Sequence, residues 1–421
     1  MTSAASGAIA ATKALDSLAR NDRGRLISAL IGRLGSFQLA EEALQDAMIA
    51  AVSDWGRNGV PHSPHGWLLR ASYRKAIDRL RQNSSEVRKI DNLTLLIGDE
   101  AAEDGEDIPD DRLRLIFTCC HPALEPKSQI ALTLRTVCGL TTGEIAAVYL
   151  DAEPTMGQRL TRAKSKIAAA GIAYAVPGPE EWAARLQSVL AVIYMVFTAG
   201  YARDHDGGWN LAEEAIFLCR LLNQLRPSDA EIEGCLALLI ITHARRGGRV
   251  NDLGVTVPLG EQDQSLWNRA MVDEGLALID QAMQRRAPGP YQIKAAISAC
   301  HCQPKGSDWA QIVLLYDSLL RIEPTPVVQL SRAVALAEAG WLDVALRVLD
   351  ALQPQLRDYQ PYHAANADLL ARAGKTSESL VAYDRAIKLA TSAADIAYLQ
   401  ERAGMVAGKI GQVPPPVREG S

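Results

Sequence analysis

Signatures of catalysis are missing from this chain. No GxSxG, HExxH or dinucleotide-binding glycine fingerprint occurs, and the seven histidines are scattered without forming a recognisable triad. The string AGKT ending at Thr376 resembles a phosphate loop, but that motif needs a glycine at position 369, where Leu369 stands. It reads as a turn between helices. No run approaches the roughly 20 uninterrupted apolar residues of a membrane span. The opening MTSAASGAIAATKALDSLAR has no charge cluster ahead of its apolar part, so a cytoplasmic, membrane-free protein is expected. The Asn-x-Ser/Thr matches at Asn83 and Asn92 then carry no meaning. Seven cysteines include no CxxC pair. Cys119, Cys120 and His121 cluster, as do Cys300, His301 and Cys302. Adjacent helical residues point about 100° apart and rarely chelate one ion, so buried free thiols are expected, with no metal, no cofactor and no catalytic residue. What remains is a chain that acts by binding.

The strongest local pattern lies in Leu140 to Ile167, LTTGEIAAVYLDAEPTMGQRLTRAKSKI. Thr141 can cap a helix while Glu144, three residues on, reaches back to the cap amide, a capping box. Pro154 lacks an amide hydrogen and fits only a first helical turn, so the chain breaks around Leu150 to Glu153 and a second helix follows. On that helix Met156, Leu160, Ala163 and Ile167 share an apolar face, and Thr155, Gln158, Arg159 and Arg162 share the opposite one. Guanidinium, amide and hydroxyl groups are the chemistry that reads base edges, and Lys164 and Lys166 lie where phosphates would run. The pattern reads as a helix-turn-helix. An ordinary amphipathic helix with a solvated basic face is the plainer alternative.

A second basic helix precedes it. GWLLRASYRKAIDRLRQN, Gly66 to Asn83, places Leu69, Tyr73, Ala76, Ile77 and Leu80 on a buried stripe and Arg70, Arg74, Asp78 and Arg81 on another side. Upstream, QLAEEALQDAMIAAVSDW puts Leu44, Met48, Ala51, Val52 and Trp55 inward and leaves Glu41, Glu42, Gln45 and Asp46 outward. An acidic helix therefore leads into a basic one.

In this order, AEEALQDAMIAAVSDW, GWLLRASYRKAIDRLR, LTTGEIA and QRLTRAKSKI resemble the extracytoplasmic-function sigma factors over roughly residues 20 to 172. RLIFTCCHPAL, Arg114 to Leu124, and the long helical extension after it resemble the sigma-factor group with a C-terminal tetratricopeptide-like domain. The resemblance implies that Leu44, Gln45 and Asp46, flanked by Glu41 and Glu42, dock on bacterial core RNA polymerase. Arg70, Arg74, Lys75, Arg79 and Arg81, with Trp67, would lie along the minus-ten promoter element. Thr155, Gln158, Arg159, Arg162, Lys164 and Lys166 would face the minus-thirty-five element. Promoter melting needs a cationic surface for a displaced strand and apolar or aromatic pockets for unstacked bases. Trp67 and Tyr73 are the nearby aromatics; core packing is their plainer reading, base stacking the other. Tyr73 and Arg74 stand where an Arg-Asn pair is usual in the family, which leaves base preference there open.

A net charge of −5 looks wrong for a DNA-binding protein until it is located. Residues 1–176 hold 21 Lys and Arg against 21 Asp and Glu, but eight of those acids lie in residues 99–111 with no base among them. The rest of this half carries an excess of eight cations. The acidic stretch reads as a solvated tether, and the family resemblance implies that it threads a basic channel of polymerase.

After Tyr174, AVPGPEEW marks a Pro and Gly hinge. Farther on, Gly306, Gly340 and Gly374 recur every 34 residues, with Ala299, Ala333 and Ala367 seven residues earlier and Leu315, Leu349 and Tyr383 nine residues later. That period is the tetratricopeptide signature, degenerate where Ser379 replaces the usual alanine. Asp206, Gly207, Gly208 and Trp209 form a loop that either caps the repeat core or acts as a regulatory contact. Stacked helical pairs suit a peptide, protein or other ligand on their concave face.

The expected fold is all-α: two small sigma helical domains, the second a helix-turn-helix, followed by an α-solenoid. The expected boundaries are a flexible tail 1–20, a region-2-like domain 21–92, an acidic linker 93–111, a region-4-like domain 112–173, a hinge 174–181, a repeat domain 182–405 and a tail 406–421. The expected function is promoter-specific initiation, modulated in cis by the extension. Two rivals remain: a one-component helix-turn-helix regulator with a peptide-sensing repeat domain, and a tetratricopeptide-like interaction scaffold. The acidic-then-basic pair in residues 38–83 favours the sigma reading, because an operator reader has no use for it.

Overall fold

The computed structural model describes residues 11–16, 18, 22–82, 111–149, 151–201, 210–303 and 306–410. Among them the architecture is all-α, apart from one antiparallel bridge between Val250 and Thr256. Two compact units divide at Leu218/Cys219, inside the helix Leu211–Leu225.

The first unit opens with three helices, α1 (Arg23–Leu34), α2 (Phe37–Asn58) and α3 (Pro64–Gln82). Gly35, at φ 64°, ends α1, and the Ser36 hydroxyl accepts from the Leu39 amide to start α2. The inner stripe of α2 is Phe37, Ala40, Ala43, Leu44, Ala47, Ala51 and Trp55. Trp55 meets Trp67 edge-on at 5.5 Å, while Arg79 at the far end of α3 reaches Glu42 and Asp46, so the two helices run antiparallel. Residues 11–16 are helical and Ala11, Leu15 and Leu18 are buried, so the expected tail 1–20 is in part core.

Four further helices follow: α4 (Arg112–Cys119), α5 (Pro126–Thr136), α6 (Thr142–Tyr149) and α7 (Glu153–Ala169). The capping box forms at α6, where Glu144 Oε2 accepts from the Thr141 amide at 2.6 Å and Thr141 Oγ1 accepts from the Glu144 amide at 3.2 Å. Pro154 sits in the first turn of α7, whose buried face is Met156, Leu160, Ala163 and Ile167, as expected. The next helix, α8 (Pro179–Tyr201), packs on α4 and α5, with Trp182 against Phe117 at 5.1 Å. Its span 179–200 is, among the described residues, the one helix long and apolar enough to cross a membrane.

The expected hinge at 174–181 is not a division between units. The Tyr174 hydroxyl donates to the Ser28 carbonyl at 2.9 Å, and Arg185 donates to the Phe117 carbonyl at 2.8 Å, which ties both ends of the segment to the first unit. Burial pushes the Tyr174 phenol above its ordinary range. The acidic linker, apart from Asp111, and the loop Asp206 to Trp209 lie outside the described residues.

The helix α9 (Leu211–Leu225) carries the division between the units, and the second unit continues with α10 (Ala230–Ala244), buried on nearly every side, and α11 (Arg269–Gln284). Three helical hairpins come next: α12 (Pro290–Cys300) with α13 (Trp309–Leu320), α14 (Pro326–Glu338) with α15 (Leu342–Leu356), and α16 (Gln360–Arg372) with α17 (Thr376–Leu389). The last helix, α18 (Ala393–Ile410), extends into the expected tail 406–421. Gly306, Gly340 and Gly374 turn the three hairpins at φ 89°, 93° and 76°, a conformation that side chains disfavour. That is the physical basis of the 34-residue period, and it makes AGKT a turn rather than a phosphate site. Ala333, Ala367, Leu349 and Tyr383 fill the core between helices, and Ser379 is accommodated because its hydroxyl donates to the Ala367 carbonyl at 2.7 Å. Arg372 reaches back to Glu338 at 2.6 Å and Arg402 to Asp368 at 2.7 Å, each pair 34 residues apart.

Candidate polymerase and nucleic-acid interface

Helix α2 offers a narrow outward face. Gln45 is exposed, and Ile49 and Val52 are 62% and 51% exposed, a stripe at i, i+4 and i+7. Leu44 is fully buried, so it supports the helix and touches no partner, which corrects the expectation for it. Val52 was expected inward and faces out. The cause is the alanine stripe: Ala40, Ala43, Ala47 and Ala51 let the neighbouring helices approach closely, so the core needs no larger side chain there and the branched residues are left outside. Ile49 was missed in the sequence, and its signal is a large apolar residue off an alanine-lined face.

The three acids in the first half of α2, Glu41, Glu42 and Asp46, are not free carboxylates. Glu42 accepts from Arg79 Nη1 at 2.6 Å, and Asp46 accepts from Arg79 Nε and Nη2 at 2.9 and 2.7 Å. The Asp46 hydrogen bond holds the Arg79 guanidinium above its ordinary pKa. Arg79 therefore ties α3 to α2, with 40% of its side chain still exposed. Glu41 pairs with Lys164 of α7.

On α3 the exposed cations are Arg74, Lys75 and Arg81, with Asp78 among them, and Arg70 is half-buried. Tyr73 is buried, its ring under the Arg33 guanidinium at 5.3 Å, so of the two readings core packing holds. Trp67 is half-buried with its edge against Trp55.

On α7, Thr155, Gln158, Arg162 and Lys166 are exposed along one side. Arg159 and Lys164 depart from the expectation. Arg159 folds back toward the turn, 3.7 Å from Asp151 and 3.7 Å from Glu125, and only 22% of its side chain is exposed. Lys164 turns to Glu41 and is 19% exposed. Both lean toward nearby carboxylates because a cation half-removed from water requires a counter-charge. The exposed polar side of α7 is thus Thr155, Gln158, Arg162 and Lys166.

The cysteine clusters hold no ligand geometry. Cys119 and Cys120 are buried with their sulfurs 3.2 and 3.5 Å from the Thr136 and Thr133 hydroxyls, and burial pushes the Cys120 thiol up to about 12. Nδ1 of His121 accepts from the Ala123 amide at 3.1 Å. Among the described residues no group of three or more His, Cys, Asp or Glu is placed to hold a metal ion.

Residues 18–86, the span of α1 to α3, match the family Sigma-70 region 2. Residues 185–283 match a family of unknown function, DUF6596. An uncharacterized protein of Rhizobium meliloti (strain 1021) is 42% identical over 390 residues, which is 90% of this chain and 92% of that one. On the span that matches region 2, an acidic helix runs antiparallel to a basic one. The chain belongs to the same family as the rhizobial protein, and the region 2 match over residues 18–86 supports a sigma-factor-like part in RNA polymerase binding and transcription initiation.

Proposed function

We propose that the protein is a promoter-specific sigma factor of the extracytoplasmic-function type, acting in the bacterial cytoplasm. The outer face of α2, Gln45, Ile49 and Val52 with Glu42 and Asp46 beside it, docks on core polymerase. Trp67, Arg70, Arg74, Lys75 and Arg81 follow the minus-ten element, and Thr155, Gln158, Arg162 and Lys166 read the minus-thirty-five element. The observation that carries this reading is the region 2 match over α1 to α3, where the exposed apolar stripe and the exposed cations lie on separate helices. Chain length supports it as well. Elements centred ten and 35 bases upstream lie about 85 Å apart at 3.4 Å per base. Residues 83–110 number 28, and such a segment spans up to about 95 Å when extended.

The 34-residue hairpins of the second unit form a tetratricopeptide-like array, and the proposal assigns it control of initiation in cis through a peptide, protein or ligand bound to its surface. The decisive experiment reconstitutes bacterial core polymerase with the full chain and maps initiation on genomic fragments. Initiation at discrete sites, lost on Arg162→Ala with Lys166→Ala, is the expected result. Absence of polymerase binding, or initiation indifferent to those changes, removes the reading.

A further inference from the structure

Between α10 and α11 the second unit takes 23 residues, 245–267, where helix–helix connections usually need about 2–8. The two ends meet, with the Asn268 amide donating to the Ala244 carbonyl at 2.8 Å, so the segment is an excursion rather than a link that covers distance. It folds on itself. Val250 and Thr256 form an antiparallel bridge, flanked by bonds from the Val257 amide to the Arg249 carbonyl at 2.7 Å and from the Asn251 amide to the Val255 carbonyl at 3.0 Å. The Asn251 side chain accepts from the Leu253 and Val255 amides at 3.0 Å each, and Gly254 turns the chain at φ 76°. Residues 251–254 are exposed, whereas Val255, Thr256, Val257, Pro258 and Leu259 are half-buried in succession, so the returning strand is covered along its length.

That strand is seated on the first turn of α18. The Thr256 amide donates to the Ala394 carbonyl at 3.3 Å and its hydroxyl to the Asp395 carboxylate at 2.7 Å, across 139 residues. The Ser392 hydroxyl accepts from the Asp395 amide at 3.4 Å, which fixes the residue at the helix start. Glu261 stands near Tyr398, about one turn farther on: burial pushes that phenol up to about 12, and the Asp368 and Glu261 carboxylates add to the rise. Asp368 and Arg402 lie on the side where α14, α16 and α18 stand next to one another, joined by the Arg372–Glu338 and Arg402–Asp368 pairs. The excursion is thus a strap that reaches past the three hairpins to the last helix, on the side formed by their first helices. Stacked helical pairs bind extended partners on such a face.

We propose that residues 249–259 are a built-in occupant of a peptide seat at the first turn of α18, and that an extended peptide with a Ser or Thr between β-branched residues enters the array by displacing them. The proposal rests on the tetratricopeptide-like reading of the second unit and is independent of what the first unit binds. The seat offers a main-chain carbonyl at Ala394 and a carboxylate at Asp395, so it takes an amide and a hydroxyl from one residue. Valines on either side of that residue, as at 255 and 257, favour the extended form that presents both groups together. One charge-assisted bond and one longer backbone bond are a modest hold, so a free segment with the same groups competes with the strap.

The test uses the full chain without polymerase. Deuterium exchange read by mass spectrometry is expected to be slow over residues 255–259 and 394–400, to rise in both segments together in Thr256→Val, and to return to the native rate in Thr256→Ser. The hairpins between, residues 290–389, keep their native exchange. A fluorescein-labelled peptide of residues 250–261 probes the seat by anisotropy. It is expected to bind Thr256→Val about tenfold tighter than the native chain, the size of one hydrogen bond to a charged group, because the loosened strap competes less. Adding Asp395→Ala to the chain, or Thr256→Val to the peptide, is expected to reverse that gain. Circular dichroism checks that each variant keeps its helices. Strap exchange in the native chain as fast as in the free peptide, or exchange at 394–400 unmoved by Thr256→Val, overturns the strap. Equal peptide binding by the native chain and Thr256→Val overturns the displacement. A loosened strap with no peptide bound by either removes the peptide-binding reading of the array, and the sigma reading stands apart from every arm.

Discussion

Leu44 and Ile49 lie five residues apart on α2 and face opposite ways, one fully buried and one 62% exposed. Leu44→Ala is expected to cost about 2–5 kcal/mol in urea unfolding, the range for a leucine lost from a packed core. Ile49→Asp should leave the unfolding midpoint within about 0.5 kcal/mol, as is usual for surface changes, and abolish polymerase pull-down. The reverse pattern would place the docking face elsewhere. His301 offers a second residue-scale prediction. Burial, with the Arg245 charge added, pushes its imidazole down to about 4. The unfolded chain takes up that proton near pH 6.5 while the native chain refuses it until about pH 4, so stability falls as pH drops through this window. His301→Asn should flatten part of the decline in unfolding free energy between pH 7 and pH 4.5. An unchanged slope would contradict the shifted titration.

At the scale of elements, the helix-turn-helix rests on chemistry local in sequence. Thr141→Ala removes a cap worth about 1 kcal/mol. Thermal unfolding of the full chain should shift down accordingly, and DNA binding should weaken through loss of order in α6 rather than loss of a contact. Local chemistry also explains why these parts could be read from the residues alone. A capping box, a proline in a first turn and glycines at positive φ every 34 residues each impose a backbone state by themselves. The errors share the opposite property. Arg79 finds its carboxylates 33 and 37 residues away and Lys164 finds Glu41 across 123, distances at which a helical wheel gives no information. The Pro and Gly segment near 174 looked like a hinge because its composition permits one, whereas the Tyr174 bond to Ser28, across 146 residues, fixes it. Val52 was misassigned because periodicity alone cannot distinguish an alanine-lined contact from one filled by larger side chains.

At the scale of the whole molecule, the net charge of −5 conceals a basic surface confined to few residues. On α7 only Arg162 and Lys166 stand exposed among the four expected cations, with Arg159 and Lys164 turned to acids. The free chain should therefore bind duplex DNA weakly, with a slope of log affinity on log salt of about −2, two phosphate contacts at roughly 0.9 each. A filter-binding titration from 50 to 300 mM salt measures it, and a slope near −6 would show that cations beyond Arg162 and Lys166 contact the duplex. On the proposed reading, polymerase supplies the rest of the affinity.

The back-reaching guanidiniums of the second unit have a consequence of their own. Since Arg372 and Arg402 each find an acid one full period earlier, donor and acceptor hold the same register in successive hairpins, and a block of 34 residues copied in tandem would set Arg against Arg or acid against acid. Duplication or excision of a whole block therefore breaks a junction, and the pairs fix the order in which these hairpins can follow one another.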